Sequence, residues 1–497
     1  MSGNSSIGRD LREYLKVLGA GGELTRITTE VDWNLEAGAI SRLACELREP
    51  APLFENLTGY PGHRMAAVLL GPGRPLHARL AMAMGLEDRT VGPLDLIERI
   101  RHALASPRKP ITVARNEAPC KEVIIPLEKV NLLEFPAPWI KSIDGGRYIG
   151  TWDIVVIKDP ETGWVNWAIY RCMVKDEKSF AVLLLPSAQH GGHIFAKYEA
   201  AGKPMPIALV IGAHPLLHLA AISNLDYEVS EAEAAGGLLG EGAPLVKCET
   251  IDLEVPANAE MIIEAEVLPG VRVEEGPFGE YTGHSAHRGK SPLARIKCIT
   301  HRRNPIHTMA NMGKPWDDCA VPESLLRSAV AKERLMRARI PVKSVYYHFG
   351  LTPVVSVKPR PGVHKQILAT MLSSPRLIQF GVVFVEEDVD VTDLQDVFWA
   401  ISTRMHPKSY QTVDNIAANP LCPFLTPEER NTMETSIWTM NASLPHTWSP
   451  EYRRDHASVS DFAQGWTDDI RQRVLSRWSE YGYHGKPSTD KEPGGVP

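Results

Sequence analysis

The chain is poor in cysteine, and the cysteines it has form no pair. Seven are scattered over 497 residues at positions 45, 120, 172, 248, 298, 319 and 422, with no CxxC spacing. An odd, unclustered set excludes a zinc ribbon or a disulfide framework and points to a reduced, cytoplasmic chain. No apolar run reaches membrane-spanning length, and the opening MSGNSSIGRDLREYL has no signal-peptide core. Basic excess is missing too. A formal net charge of −6 gives no reason to expect nucleic acid or a membrane surface as partner. No GxGxxG or P-loop follows a strand-like run, which argues against a plain dinucleotide or nucleoside-triphosphate fold, and the histidines form neither HxH nor HExxH. With 43% hydrophobic and 23% charged residues, what remains is an ordinary globular chain long enough for about two to four domains.

In chain order, Asp10 caps an amphipathic helix carrying Leu11, Tyr14, Leu15 and Leu18 on one face and stopped by Gly19. A second helix follows Asn34, with Leu35, Ala39, Ile40 and Leu43 facing inward, and Ala51–Leu57 reads as a strand. From Ile111 to about Asn311 the texture changes to short β-branched runs split by Gly and Pro: Trp152–Lys158, Phe180–Leu185, Ile207–Ile211 and Ile262–Val267. Such spacing suggests a barrel or heavily bent sheet, with helices at His193–Ala201 and Glu228–Leu239. Beyond Pro322, helices at Glu323–Arg337, Val363–Met371 and Leu394–Arg404 alternate with strands at Pro353–Val357 and Val382–Val385. Asp468–Tyr481 is a last amphipathic helix with Ile470, Val474 and Trp478 on one face, suited to its own core or to a partner subunit. The fold class is mixed α/β and α+β. The expected divisions are an α/β module at 1–110, a bent-sheet domain at 111–320, a second α/β domain at 321–450, a helical segment at 451–483 and a disordered tail at 484–497.

The densest polar motif is Glu274–His287, EEGPFGEYTGHSAH, between strand-like Met261–Val267 and Ala294–Thr300. Glu275 and Glu280 stand five residues apart around a Gly-Pro-Phe-Gly turn. Paired carboxylates in unlike surroundings can take separate acid and base roles, although on spacing alone a solvated surface loop is the commoner outcome. NWAIYR at Asn166–Arg171, read as a strand, puts Asn166, Ala168 and Tyr170 on one face and Trp167, Ile169 and Arg171 on the other. Asn166, His190 and Glu231 are a donor set suited to Mn²⁺ or Mg²⁺, while His190 equally suits a loop hydrogen bond and Glu231 a helix start.

Together these pieces resemble the UbiD family of decarboxylases. The resemblance is carried by EGPFGEYTG at 275–283, NWAIYR at 166–171, Gln189-His190 and SEAE around Glu231. It extends to NLEAGAI at 34–40, PLFENL at 52–57, DGGRYIGT at 144–151 and EEDVDVTDLQDVFWAISTR ending at Arg404. RQRVLSRWSEYGY is similar to the last helix of the ferulic acid and pyrrole-2-carboxylate decarboxylase branch, and LPGVRV at 268–273 to the hydroxybenzoate decarboxylases. The resemblance implies a split β-barrel holding prenylated FMN, with a C-terminal oligomerisation domain ending in a helix. It places Mn²⁺ on Asn166, His190 and Glu231, gripping the cofactor phosphate. It places K⁺ on carbonyls of Trp167, Ala220, Ala221 and Ser223, with Glu231 and Arg404 as side-chain partners. Cofactor contacts fall on Asn166, Trp167, Ala168, Ile169, Arg171, Gln189, His190, Ser223 and Glu231. The catalytic Glu-Arg-Glu network falls on Arg171, Glu275 and Glu280.

The chemistry implied is reversible, non-oxidative decarboxylation of an aromatic, heteroaromatic or α,β-unsaturated acid through a covalent adduct with the modified flavin. Glu280 is then the proton donor, Arg171 positions it by a charge-assisted hydrogen bond, and Glu275 orients Arg171. The substrate pocket falls on Gln189, Tyr281, Asn419 and Leu421, where an ungapped count from Arg404 puts a polar Asn419 against apolar residues of the ferulate branch. Asn419 suits a ring hydroxyl, a ring nitrogen or a backbone cap. Gly313–Pro322 shapes the far end of the pocket, and Ser374, with Arg376 two residues on, stands where that branch has a phosphate-binding lysine. The implied partners are a small carboxylic acid, the prenyltransferase that makes the flavin, and further copies of the chain as a homodimer or hexamer. Two other readings stay open: a conventional flavin oxidoreductase on the same barrel, and a non-catalytic flavin- or metal-binding subunit of a larger assembly.

Overall fold

The runs DIVVIK (Asp153–Lys158) and MPIALVI (Met205–Ile211) are almost wholly apolar, which a strand needs when both faces are covered. In the computed structural model, which describes residues 9–186, 189–223, 225–374 and 377–484, both are central strands of a nine-stranded sheet. Side chains alternate between two separate cores. Ile154, Val156, Ala208 and Val210 join one, and Val155, Ile157, Ile207 and Leu209 join the other. The sheet is the bent element expected from the sequence, a curled half-barrel within a mixed α/β molecule.

Its longest feature is a hairpin of Met261–Glu275 against Gly289–His301, longer than either run read from the sequence. The register shifts between Glu264 and Ala265, and again between Val267 and Arg272. Such irregularities bend a strand and re-aim its end. Glu275 therefore closes a strand rather than lying in the loop.

Of the four smaller sheets among the described residues, two are the largest. Leu24–Ile27, Ala51–Phe54 and Arg64–Ala67 are joined by Ile306–Met309, which returns from far along the chain to pair in parallel with Arg64–Ala67. Towards the C-terminus, Ser344–His348, Thr352–Ser356, Gly381–Val385, Glu434–Asn441 and Tyr410–Ala417 form a five-stranded mixed sheet. Helix Ala320–Arg337 packs on that sheet and on helix Pro93–Leu104.

Local signals in the sequence mostly set where elements start. Asp10 accepts a hydrogen bond from the Glu13 N–H, and Ser230 caps Glu231–Leu239 in the same way. Leu394–Arg404 has the expected bounds. Several expectations change, and the helix read from Glu228 starts only at Glu231. The first helix runs on through Gly19 to Ala20, with Gly21 at its C-cap. Helix Glu36–Leu47 buries Ala37, Gly38, Ser41 and Cys45 and leaves Leu43 exposed, because the Ile140 carbonyl lies where a Gly38 side chain would begin. The last helix spans only Asp468–Ser476 and buries no side chain. The tail at 485–497 lies outside the described residues.

Helix Ala320–Arg337 begins on two buried acids. Asp317 accepts from the backbone N–H groups of Gly313, Cys319 and Ala320 at 2.8–2.9 Å. Burial, aided by the Asp317 charge, pushes the Asp318 carboxyl up to about 7. A raised carboxyl favours the protonated fold, so its stabilisation is complete below the unfolded value of about 3.9 and is lost as pH rises towards 7. Asp318→Asn should flatten the fall in the urea midpoint between those limits. An unchanged slope would show that Asp318 does not set it.

Candidate active site

The hairpin tip carries Glu280, and three contacts fix it. Phe278-Gly279 pairs with Ser285-Ala286, and the Glu280 N–H donates to the His284 carbonyl at 2.9 Å. The Asp144 carboxylate accepts from the Gly279 N–H at 3.1 Å and from the Lys141 N–H at 3.0 Å. Next to it, the Gly145 N–H donates to the Pro277 carbonyl at 2.7 Å, at an approach so close that a side chain on Gly145 would strike the Gly276 carbonyl. Asp144 and Gly145 open DGGRYIGT, so that motif clamps the tip.

Arg171 enters from the opposite side of the site. Strand Val165–Ala168 ends after Ala168, and the chain turns through Ile169–Arg171 before the strand Cys172–Asp176. Tyr170 holds that turn: its hydroxyl donates to Asn166 Oδ1 at 3.3 Å and accepts from the Gly191 N–H at 2.9 Å. Arg171 then forks onto Glu275, Nε to Oε1 at 2.9 Å and Nη2 to Oε2 at 2.7 Å, while Nη1 donates to Glu280 Oε1. Tyr148 donates a further bond to Glu275 Oε1 at 2.8 Å. Phe278 lies between two cations, with Arg171 5.4 Å and Lys141 5.7 Å from its ring centre.

All three members of the network are buried, Arg171 at 7%, Glu275 at 2% and Glu280 at 6% exposure. Burial pushes the Glu280 carboxyl up, and the nearby Glu275 charge adds to this against the pull of Arg171. Burial opposes the Arg171 charge, but the two carboxylates outweigh it and hold the guanidinium above its ordinary value. Lys141, with its Nζ buried, is pushed down by that burial. The arrangement can keep one carboxyl protonated beside a permanent cation.

Beside the network lies a cavity of about 250 Å³. Ala168, Ile169, Arg171, Gln189, Ala221 and Glu280 line one side of it. Tyr281, Arg327, Gln379, Asn419 and Leu421 line another, and Met312 and Cys319 come from the segment expected to shape the far end. Asn166, Trp167 and Glu231 meet outside that wall. The Glu231 carboxylate accepts from Asn166 Nδ2 at 3.2 Å and from the Trp167 N–H at 3.1 Å. His190 starts the helix His190–Ala200, its ring edge-on to Trp164 and Tyr227. Buried carboxylate and amide oxygens with an imidazole suit a hard divalent cation. Ala220 and Ser223 are buried close by in sequence, the Ser223 hydroxyl donating to the Ala220 carbonyl at 2.6 Å. Arg404 does not join them. Its guanidinium forks onto Asp388 at 2.8 and 2.6 Å and stacks on Trp399, and it makes no bond to Glu231. Ser374 makes no side-chain hydrogen bond among the described residues, and Arg376 lies outside them.

Residues 15–104, 111–315 and 324–440 match the N-terminal, Rift-related and C-terminal domains of 3-octaprenyl-4-hydroxybenzoate carboxy-lyase, UbiD. The chain belongs to the UbiD family. It is 32% identical to the pyrrole-2-carboxylic acid decarboxylase of Pseudomonas aeruginosa over 95% of this chain and 98% of that one. The vanillic acid decarboxylase of Sedimentibacter hydroxybenzoicus in its closed form superposes with a TM-score of 0.86 at 30% identity, covering 97% of this chain and 100% of the other. An evolved dimeric UbiD-class enzyme of Pelotomaculum thermopropionicum, in complex with prFMN, gives 0.76 at 30% identity over 89% and 96%.

Within this UbiD chain, Tyr148, Asp144, Lys141 and Gln379 were not singled out from the sequence. DGGRYIGT held the signal for Asp144 and Tyr148, since a Gly-Gly pair beside an acid marks a close backbone approach. Nothing local marks Lys141 or Gln379. Asp144→Ala would leave two backbone N–H groups unpaired under the tip, so the Glu280 carboxyl should lose its position. We expect kcat to fall by about tenfold to hundredfold with flavin content retained, read from turnover against flavin absorbance. Wild-type kcat would show that the clamp is dispensable.

Proposed function

We propose that this UbiD-family chain is a carboxy-lyase that decarboxylates aromatic acids with prenylated FMN, and that Glu280 is its proton donor. The observation that carries the assignment is the unequal sharing of Arg171, bidentate to Glu275 but single to Glu280. Homologues named as decarboxylases, and a structural neighbour holding prFMN, support the reaction class and the cofactor.

When bound, prenylated FMN supplies the electron sink that an sp² carbanion requires as carbon dioxide leaves. The rest falls to the protein. Asn166, His190 and Glu231 would hold a manganese ion against the cofactor phosphate, and the carbonyls near Ala220–Ser223 a potassium ion. Arg171 stays charged and fixed by Glu275 and Tyr148. Glu280, whose carboxyl burial pushes up, delivers its proton to the carbon that lost the carboxylate. Arg171 then stabilises the Glu280 carboxylate left behind. The same steps in reverse make the residues competent for carboxylation.

Helices Pro450–Ala457 and Asp468–Ser476 bury no side chain, and Phe462, Trp466 and Tyr483 beside them are exposed. A second copy of the chain would cover that surface, which supports a homodimer. No helix among the described residues is long and apolar enough to cross a membrane.

The test is carbon dioxide release from a panel of aromatic and acrylic acids by enzyme produced with and without the flavin prenyltransferase. Release only after co-production, abolished by Glu280→Gln with the flavin still bound, is expected. Full activity of Glu280→Gln would reject the assignment of the donor. Equal release without the prenyltransferase would reject the cofactor.

A further inference from the structure

One wall of the cavity is polar and neutral, and its hydrogen bonds have a fixed direction. The Leu421 N–H donates to Asn419 Oδ1 at 3.0 Å. A backbone N–H can only donate, so this contact settles which way the Asn419 amide points. Its Nδ2 must then face Tyr281 and Gln379. It donates to the Tyr281 hydroxyl and, at 3.2 Å, to Gln379 Oε1. Gln379 is thereby obliged to present its oxygen to the triangle, where the Tyr281 hydroxyl also donates to it at 3.0 Å. Both lone pairs of that oxygen are used, and Gln379 Nε2 has no hydrogen-bond partner among the described residues. Acceptor capacity is left on the Tyr281 hydroxyl and on Asn419 Oδ1.

All three side chains line the same cavity as Glu280 and Arg171, and Tyr281 is the next residue after Glu280. The cation on this wall is already compensated: Arg327 Nε meets Glu323 Oε2 at 2.6 Å, and the Arg327 guanidinium lies 5.9 Å from the Tyr281 ring centre. A second carboxylate on the substrate would find no uncompensated charge there. An apolar ring edge would cover the Gln379 Nε2 donor without pairing it, which is costly.

Building on the decarboxylase reading, we propose that Tyr281, Gln379 and Asn419 form a specificity subsite for a neutral substituent that both accepts and donates a hydrogen bond. A phenolic hydroxyl on the aromatic acid fits this chemistry. Its oxygen accepts from Gln379 Nε2, and its proton goes to Asn419 Oδ1 or the Tyr281 oxygen. Asn419 thus serves at once as a backbone cap and as part of the pocket wall.

The test uses matched acids: cinnamic against para-hydroxycinnamic, benzoic against para-hydroxybenzoic, and terephthalic as the dicarboxylate. With flavin-loaded enzyme, kcat/KM should favour the hydroxylated member of a pair by about tenfold or more, mainly through KM. In Gln379→Leu and in Asn419→Leu that ratio should collapse to within about threefold of unity. Calorimetric titration of the same acids into the loaded wild-type enzyme measures the preference without turnover. If no acid is consumed, the decarboxylase reading fails while the titration still decides the subsite. Equal affinities within each pair, a preference for terephthalic acid, or a hydroxyl preference that survives both substitutions would overturn the proposal.

Discussion

One buried guanidinium faces two buried carboxylates, and the rest of the molecule serves that imbalance. With both acids ionised the cluster would carry a net negative charge out of water, which is expensive. The cheaper state protonates one of them. Glu275 receives two bonds from Arg171 and a third from Tyr148, whereas Glu280 receives a single one from Arg171. Glu280 is therefore the carboxyl we propose to hold the proton, in line with the upward push that burial gives it. A permanently charged partner and a protonated carboxyl side by side are the parts a proton donor needs.

Holding those parts falls to the sheet. The register of the long hairpin shifts twice before its tip, and Asp144 ties that tip down through the Gly279 N–H. Because the central strands are apolar on both faces, the sheet is packed from both sides and its edges are stiff platforms for the loops. The C-terminal region supplies the opposite wall of the cavity through Arg327, Gln379 and Asn419. Of the proposed subsite, Gln379 and Asn419 come from the C-terminal region, whereas Tyr281 follows Glu280 directly on the hairpin tip.

Much of this was legible in the sequence, and the exceptions have physical causes. The capping residue Asp10 announced a helix start, and continuous β-branched runs announced buried strands. The motifs around Arg171 and Glu280 pointed to residues that the fold does bring into contact. Periodicity misjudged the helix at Glu36–Leu47 because large residues were assumed to face inward, while close backbone packing at Gly38 demands small ones. The hairpin was read too short because its middle, around Leu268–Arg272, is solvent-facing and breaks the apolar pattern. Tyr148 and Gln379 reach the site across 127 and 98 residues of sequence, and such long-range pairings carry no local signal. Arg404 was assigned to a metal on resemblance alone, and its guanidinium is bound by Asp388.

The protonation state of Glu280 tests the account most directly. Infrared difference spectra of wild type against Glu280→Gln, followed through a pH titration, isolate the carboxyl stretch of that one residue. The account predicts a protonated carboxyl that persists above the ordinary glutamate value of about 4.3. A Glu280 that ionises at or below that value would contradict it.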